Sequence, residues 1–430
     1  VSDHGFDRKL RILVVLPMYG GSLPVGRYCC RALRRLGHLV EVFEAPEFHA
    51  SYTALRKLRI AVERLEHLEN GYLQLVSQAV LAKAQTFGPA LVLALAQAPL
   101  NRQALKKLRQ DGTATAMWFV EDHKIFTYWR AFAPFYDHFA VIQKEPFLTE
   151  LKNQGGGDAF YLPLAADPEF HRPMELNPVQ RRKFGSDLSF VGAGYPNRRL
   201  AFRRLLGHNL KIWGSDWEGD ETLWPLVQMA GARISAEDSL LVFNASKISI
   251  NLHSSIQHGV TVTPGDFVNP RTFELAACGA FQIVDRRELL AELFDPDKEL
   301  ATFTDMDGLI QAVEHYQRHP EERQAMAALA RERVLREHTY EHRMRFLLEH
   351  LAATRADGWP RSRSDAGLPE DLSPEFREEL ATLLCRLELQ PEASFEDLVV
   401  AVRQREGRLS EIETAVLFLD EWRKQYASRH

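Results

Sequence analysis

Four cysteines in 430 residues are too few for a disulfide framework; Cys29 and Cys30 are adjacent, while Cys278 and Cys385 stand alone. No spacing suits a structural zinc site, and a reducing cytoplasm is the simplest home for such a chain. Long apolar runs are also missing. The longest candidates, "RILVVLP" and "ALVLALAQAPL", fall short of the roughly 18 to 20 residues that cross a bilayer, so no transmembrane segment is expected. The first residues, "VSDHGFDRKL", are polar and lack the apolar stretch of a signal peptide. The formal charge of −5 comes with no basic block and no aromatic-interleaved basic stripe. That excludes nucleic acid as the main partner, and leaves phosphate binding to a few arginines and helix ends.

What is present is an ordinary globular composition, 45% hydrophobic and 26% charged, long enough for two to three domains. The first half alternates strand and helix. "LRILVVLP" reads as a buried parallel strand, followed by "MYGGSLPVG" and a helix "RYCCRALRRLG" that ends at Gly37. "HLVEVFE", "ALVLAL", "ATAMWFV" and "HFAVI" supply further strands. Tyr52 to Phe87 reads as helix, with a break expected near Asn70–Gly71. "AFYLPLAADPEFHRP" then looks like a last strand running into a linker. A second series follows with strands "LSFVG", "LKIWG", "KISINLH", "AFQIVD" and "LATFTD". The expectation is α/β: two Rossmann-like domains facing a cleft, spanning 1–165 and 166–352, with ligands outside the carboxyl ends of the strands. From Pro320 to Leu351 the chain reads as one long charged helix or a bent pair closing the second domain. Residues 353–373 read as a linker and 374–430 as a tail of three helices.

"VNPRTFELAACGAFQIVD" carries the strongest site signal. Asn269 is a good N-cap and Pro270 suits the first helical position. The helix end can hold a phosphate, with Arg271 adding a charge-assisted fork and Glu274, one turn in, accepting hydrogen bonds from sugar hydroxyls. The plain alternative is that Glu274 complements the helix dipole and pairs with Arg271. Asp266 stands upstream in the loop "TVTPGDFVNP", so two carboxylates flank one helix start, an arrangement that suits a polyhydroxylated ligand.

The carboxylate–x7–Glu spacing with "LAACGAFQIV" resembles the donor-site signature of retaining GT-B glycosyltransferases, Glu–x7–Glu. "SFVGAGYPNRRLAF", "KIWGSDW", "KISINLH", "YLPLAADPEFHRP" and "HPEERQAMAALARERVLREHTYEHR", in that company, are similar to the CgeB-like (spore-maturation-type) glycosyltransferases. The resemblance covers roughly Leu10 to Leu351 and not the helical tail. It implies a GT-B fold in which Glu274 binds the ribose of a nucleotide-sugar and Asp266 lies close to the transferred sugar. Arg271, Thr272 and Phe273 would line the diphosphate and reacting centre. Asp266 is one methylene shorter than the family's glutamate, which weakens its assignment as a sugar contact.

In "FVGAGYPNRR", Gly192 and Gly194 permit close backbone approach, and Asn197, Arg198 and Arg199 open a helix where one arginine can meet a diphosphate; a surface turn with solvated arginines is the alternative. Gly20 and Gly21 resemble the glycine loop after the first strand of GT-B folds, though a plain βα turn fits the same residues. Glu121, Asp122 and His123 follow a strand end, where a His or carboxylate can act as base or acceptor clamp. His253 is similarly placed in the second half. Two D-x-D strings, Asp295–Asp297 and Asp305–Asp307, read as helix caps rather than a metal site.

The expected activity is transfer of a sugar from a nucleotide-diphosphate donor, UDP preferred, to a hydroxyl on a protein or a bacterial surface glycan. No cofactor or metal is expected, and configuration is retained; inversion with His123 or Asp122 as base stays open. The tail is expected to recognise the acceptor or a protein partner, or to self-associate. The rival reading is a non-catalytic binding or scaffold protein that kept the fold and uses its tail to hold a partner.

Overall fold

The computed structural model describes residues 9–354, 359, 373–391 and 393–426. The linker expected over 353–373 lies almost wholly outside the described residues, as does the segment 1–8.

The first unit runs β1 (Arg11–Val15), α1 (Ser22–Arg35), β2 (Leu39–Phe43), α2 (His49–Arg56), α3 (Val62–Phe87), β3 (Leu91–Leu95), α4 (Arg102–Gln110), β4 (Ala114–Phe119), α5 (Trp129–Phe132), β5 (His138–Val141), α6 (Phe147–Asn153) and β6 (Asp158–Tyr161). Its strands form one six-stranded sheet in the order β2-β1-β3-β4-β5-β6, every pairing parallel. β1 shows why both faces must be covered: Ile12 and Val14 enter one core, while Leu13 and Val15 enter another. α1 starts earlier than the sequence suggests, at Ser22, so the glycine loop shrinks to Gly20–Gly21. Gly26 falls inside the helix, where a Cβ would lie 2.4 Å from Leu16 Cδ2; its absence lets α1 sit close to the sheet.

The second unit runs α7 (Pro178–Phe184), β7 (Leu188–Val191), α8 (Pro196–Phe202), β8 (Leu210–Trp213), α9 (Ala236–Ala245), β9 (Ile248–Asn251), α10 (Pro270–Ala277), β10 (Gln282–Asp285), α11 (Leu290–Leu293), β11 (Ala301–Phe303), α12 (Met306–Arg318), α13 (Pro320–Glu337) and α14 (Tyr340–Thr354). Its five strands pair in parallel in the order β11-β10-β9-β7-β8. The strands expected from the sequence are all present.

One helix expectation needs correction, and one open alternative is resolved. The break after α2 lies at 57–61, where Arg59 turns left-handed at φ 52°, and Gly71 sits within an unbroken α3. One glycine costs a helix only about 1 kcal/mol, too little to interrupt a segment whose far half buries Val76, Val80 and Ala84. The long C-terminal helix is the bent pair, broken at His338–Thr339, and α14 returns to pack on α1 of the first unit rather than closing the second. The chain therefore crosses twice between units, and the crossings pair: Ala166 N–H donates to His338 O and Tyr340 N–H to Ala166 O, both at 3.0 Å. Phe273, Tyr340 and Leu347 join β1 and α1 in one core that runs through both units.

The tail is three helices, as expected: α15 (Pro374–Arg386), α16 (Phe395–Gln404) and α17 (Glu411–Tyr426). It docks on the first unit. Leu383, Leu398 and Val416 enter the same core as Leu13 and Val15, and Gln404 Oε1 accepts from Val40 N–H (3.2 Å) on the edge strand β2.

Candidate active site

The carboxyl ends of both sheets face a cavity of about 830 Å³, a size typical of small-molecule sites. The first unit contributes Met18, Tyr19, Gly20, Gly21 and Tyr28, from the end of β1 and the start of α1. The second contributes Gly192, Asp216, Arg233, Phe243, Arg271 and Glu274, and the crossing segment adds His171.

The start of α10 is held from below. Asn269 Oδ1 accepts from Thr272 N–H (3.2 Å), and its own N–H donates to His253 Nε2 at 2.9 Å. His253 Nδ1 in turn meets Asp285 Oδ1 at 2.7 Å. Burial lowers the His253 pKa. With Nε2 accepting, the ring is neutral and carries its proton on Nδ1, toward Asp285. Burial alone would raise the Asp285 pKa, but His253 and Arg287 hold it below the usual carboxylate value. Because Pro270 has no N–H and Asn269 occupies that of Thr272, the helix end offers fewer free donors than its sequence suggests. An anion there depends more on arginine.

Two arginines line the cavity among the described residues. Arg271 Nη1 donates to Glu274 Oε2 at 2.6 Å, and its guanidinium lies 4.6 Å over the Phe243 ring. Arg233 reaches across the cleft and donates to Gly20 O at 3.0 Å. Glu274 also has His171 Nε2 at 3.9 Å. His171 Nδ1 accepts from Asp167 N–H (3.1 Å) and burial lowers its pKa, so a neutral ring presents Nε2–H toward the carboxylate. Burial, reinforced by Glu274, raises the Tyr28 pKa and keeps it a phenol. The cavity thus offers two guanidinium groups, the carboxylates of Glu274 and Asp216, and neutral donors from Tyr28 and His171.

Of the residues the sequence singled out, Gly20, Gly21, Gly192, Arg271 and Glu274 come together on this cavity. The others do not line it. Arg198 spends Nε and Nη2 on Leu252 O (3.0 and 2.8 Å) and Nη1 on Ala193 O (3.0 Å), and burial lowers its pKa to about 10. Arg199 donates to the carbonyls of Gly194, Asp216 and Glu218. Both arginines therefore hold the loops beneath the cavity instead of facing it. Gly194 is part of that packing, since a Cβ would fall 2.1 Å from Asp216 O. Asn197 is buried, bonding His253 O and Thr261 O through Nδ2 and accepting from Ser255 N–H. His253 and Asn269 support the helix start from behind. Thr272 and Phe273 point into the core, Thr272 to Asn251 and Phe273 against Phe294.

Asp266 lies at the seam between units. Its Oδ1 accepts from Gln143 Nε2 at 2.9 Å, and Gln143 Oε1 takes both the N–H (3.0 Å) and Nδ1 (2.9 Å) of His123. His123 is buried and stacked on Phe147 at 4.2 Å between ring centroids. Asp122 caps a local turn through Lys124 N–H (2.9 Å). Glu121 binds Gln97 and Tyr128, and burial raises its pKa. Asp305 is the N-cap of α12 through Gly308 N–H, Asp307 pairs with Arg204, and Asp295 and Asp297 bond Lys298 and Thr302.

A family described as glycosyl transferase-like matches residues 197–349. The spore protein CgeB of Bacillus subtilis (strain 168) is 24% identical over 270 residues, which cover 58% of this chain and 78% of CgeB. Among solved structures, sucrose-phosphate synthase from Thermosynechococcus elongatus superposes with a TM-score of 0.55 at 14% identity, covering 81% of this chain and 100% of that one. HepE of Anabaena, solved with UDP and glucose, gives a TM-score of 0.54 at 11% identity, covering 80% of this chain and 100% of HepE. The solved structures show the GT-B fold, and the family match and CgeB make the chain similar to CgeB-like glycosyltransferases.

Proposed function

We propose that this CgeB-like glycosyltransferase moves a sugar from a nucleotide-diphosphate donor, with UDP as the carrier, to an acceptor hydroxyl on a protein or surface glycan. The observation that carries the reading is the cavity between the sheets, where Arg271 and Glu274 meet at the start of α10 opposite the Gly20–Gly21 turn. Glu274 takes the ribose hydroxyls. Arg271 leaves its carboxylate partner and Arg233 leaves Gly20 O to neutralise the diphosphate as the bond to the sugar breaks. These cations supply the charge stabilisation without a metal. The structure of HepE with UDP and glucose supports the choice of carrier.

Retention of anomeric configuration rests on the Asp266–x7–Glu274 spacing; the anomer of the product, read by NMR, decides it. A cytoplasmic location fits the reduced cysteines. Partner recognition by the tail rests on α17, whose outer face leaves Phe418 (68%) and Trp422 (54%) exposed.

The test is calorimetry with UDP-, GDP-, dTDP- and CMP-sugars. One nucleotide class binds the wild-type chain, and Glu274→Ala weakens that binding at least tenfold while the melting temperature holds. Unchanged affinity in the variant would remove Glu274 from the site. Binding without transfer or hydrolysis of any donor would favour the scaffold reading.

A further inference from the structure

The hairpin of α2 and α3 projects apolar side chains that the fold leaves uncovered. Leu58 is 52% exposed, Ile60 39% and Val62 69%, all within the turn 57–61 and the first residue of α3. Leu68 and Leu75, seven residues apart and so on one face of α3, are 41% and 63% exposed. Cations alternate with the apolar residues of the tip, in the stretch "RKLRIAV". Arg56 is held by Glu69 at 2.7 Å, but Lys57 and Arg59 have no ion pair among the described residues. Acids begin only at Glu63 and Glu66, along α3.

We propose that this tip is a peripheral membrane-binding element for an anionic phospholipid surface. Leu58, Ile60 and Val62 enter the interface, while Lys57 and Arg59 meet the lipid phosphates. A bilayer accepts a convex tip with cations among its apolar groups, whereas the core of a protein interface is a matched surface depleted of lysine. None of the helices among the described residues is long and apolar enough to span a membrane, so attachment would be reversible. Each cation near an anionic surface strengthens it by roughly fivefold. The tip also sits close to the cleft: Tyr19, at the cavity wall, packs on His49 at 4.8 Å, the first residue of α2. From there α2 extends about 12 Å to the tip, so a seated chain would hold its cleft near the lipid surface. The binding does not depend on the transfer reaction.

The experiment sediments the full chain with vesicles of phosphatidylcholine alone and of an equal mixture of phosphatidylcholine and phosphatidylglycerol. The wild-type chain should pellet with the mixed vesicles at least tenfold more strongly than with phosphatidylcholine, and release as salt rises. Leu58→Glu, Ile60→Glu and Val62→Glu combined should abolish pelleting, and so should Lys57→Glu with Arg59→Glu. All five positions are exposed, so the variants should keep the wild-type melting temperature. Equal partition into both lipids, or partition unaffected by either set, would overturn the proposal. So would a wild-type dimer at sedimentation equilibrium that the apolar set turns into a monomer, because the tip would then be covered by a second copy.

Discussion

Arg233 and Arg198 show how little residue type says about role. Both are arginines of the second unit, but Arg198 is consumed by the carbonyls of Leu252 and Ala193, whereas Arg233 holds one carbonyl across an open cavity. Losing a charge-assisted hydrogen bond to phosphate costs about 1.5–3 kcal/mol, roughly ten- to hundredfold in affinity. Arg233→Ala should therefore weaken donor binding by that factor at constant melting temperature. Arg198→Ala should instead destabilise the fold by about 2–4 kcal/mol. Calorimetry and thermal melts on the pair separate the roles, and an Arg233→Ala enzyme with wild-type affinity would return the diphosphate to another group. The sequence pointed to Arg198 and Arg199 because they follow a glycine turn. Arg233 lies in an irregular loop with no periodicity to flag it, and His171 was visible only inside a motif, so partner geometry alone picks them out. Two buried histidines give a pH signature at the same scale. Burial pushes the pKa of His38 and His338 down to about 4, against about 6.5 unfolded. Between those values the unfolded chain binds protons that the folded chain refuses, so stability falls as pH drops from 6.5 toward 4, by at most about 3 kcal/mol for each. His338→Gln should flatten the fall of melting temperature between neutral and mildly acid pH; an unchanged slope would mean that other groups control it.

At the scale of elements, α10 was legible to within a residue because its signals are local: a capping asparagine, a proline at the first position, and Gly279, left-handed at φ 67°, after its end. Its support was not legible. His253 and Asp285 lie on other strands' ends and meet Asn269 only through parallel pairing of β9 and β10. Removing the imidazole would leave the Asn269 N–H and part of a buried carboxylate without a partner, at a cost of about 2–4 kcal/mol. His253→Ala should accordingly lower the melting temperature by several degrees and, by loosening the helix start, weaken donor binding as well. A variant that melts lower but binds donor normally would reduce His253 to a purely structural role. The same contrast explains α3, where Gly71 gave a local break signal that the burial of the helix's far half overrode. It also explains Asp266: the spacing to Glu274 is readable along the chain, but its partner Gln143 comes from the opposite unit.

For the whole molecule, the alternation of strands and helices and the linker after β6 made both sheets and the first crossing readable, while the return of α14 and the docking of the tail were not, since each joins segments far apart in sequence. The tail looked like an appendage because a Gly-, Pro- and Ser-rich stretch precedes it. Its apolar faces are nevertheless core of the first unit: Leu380, Leu383, Leu398 and Val402 pack with Leu13, Val15 and Phe43. Arg11, at the start of β1 and only 5% exposed, bridges the two by donating to Phe87 O, Ser394 Oγ and Asp397. Breaking a buried pair of this kind from one side costs about 3–5 kcal/mol, and the tail's apolar contacts add to it. Deletion of everything after Thr354 should thus do more than remove a recognition module. It should lower the melting temperature sharply and expose apolar surface that binds a hydrophobic dye. Asp397→Asn, which strips the charge from the pair but keeps the tail and the Ser394 bond, should cause a smaller fall in the same direction. If the truncated chain melted where the full chain does, the tail would be an independent appendage, and its role would lie in partner recognition alone.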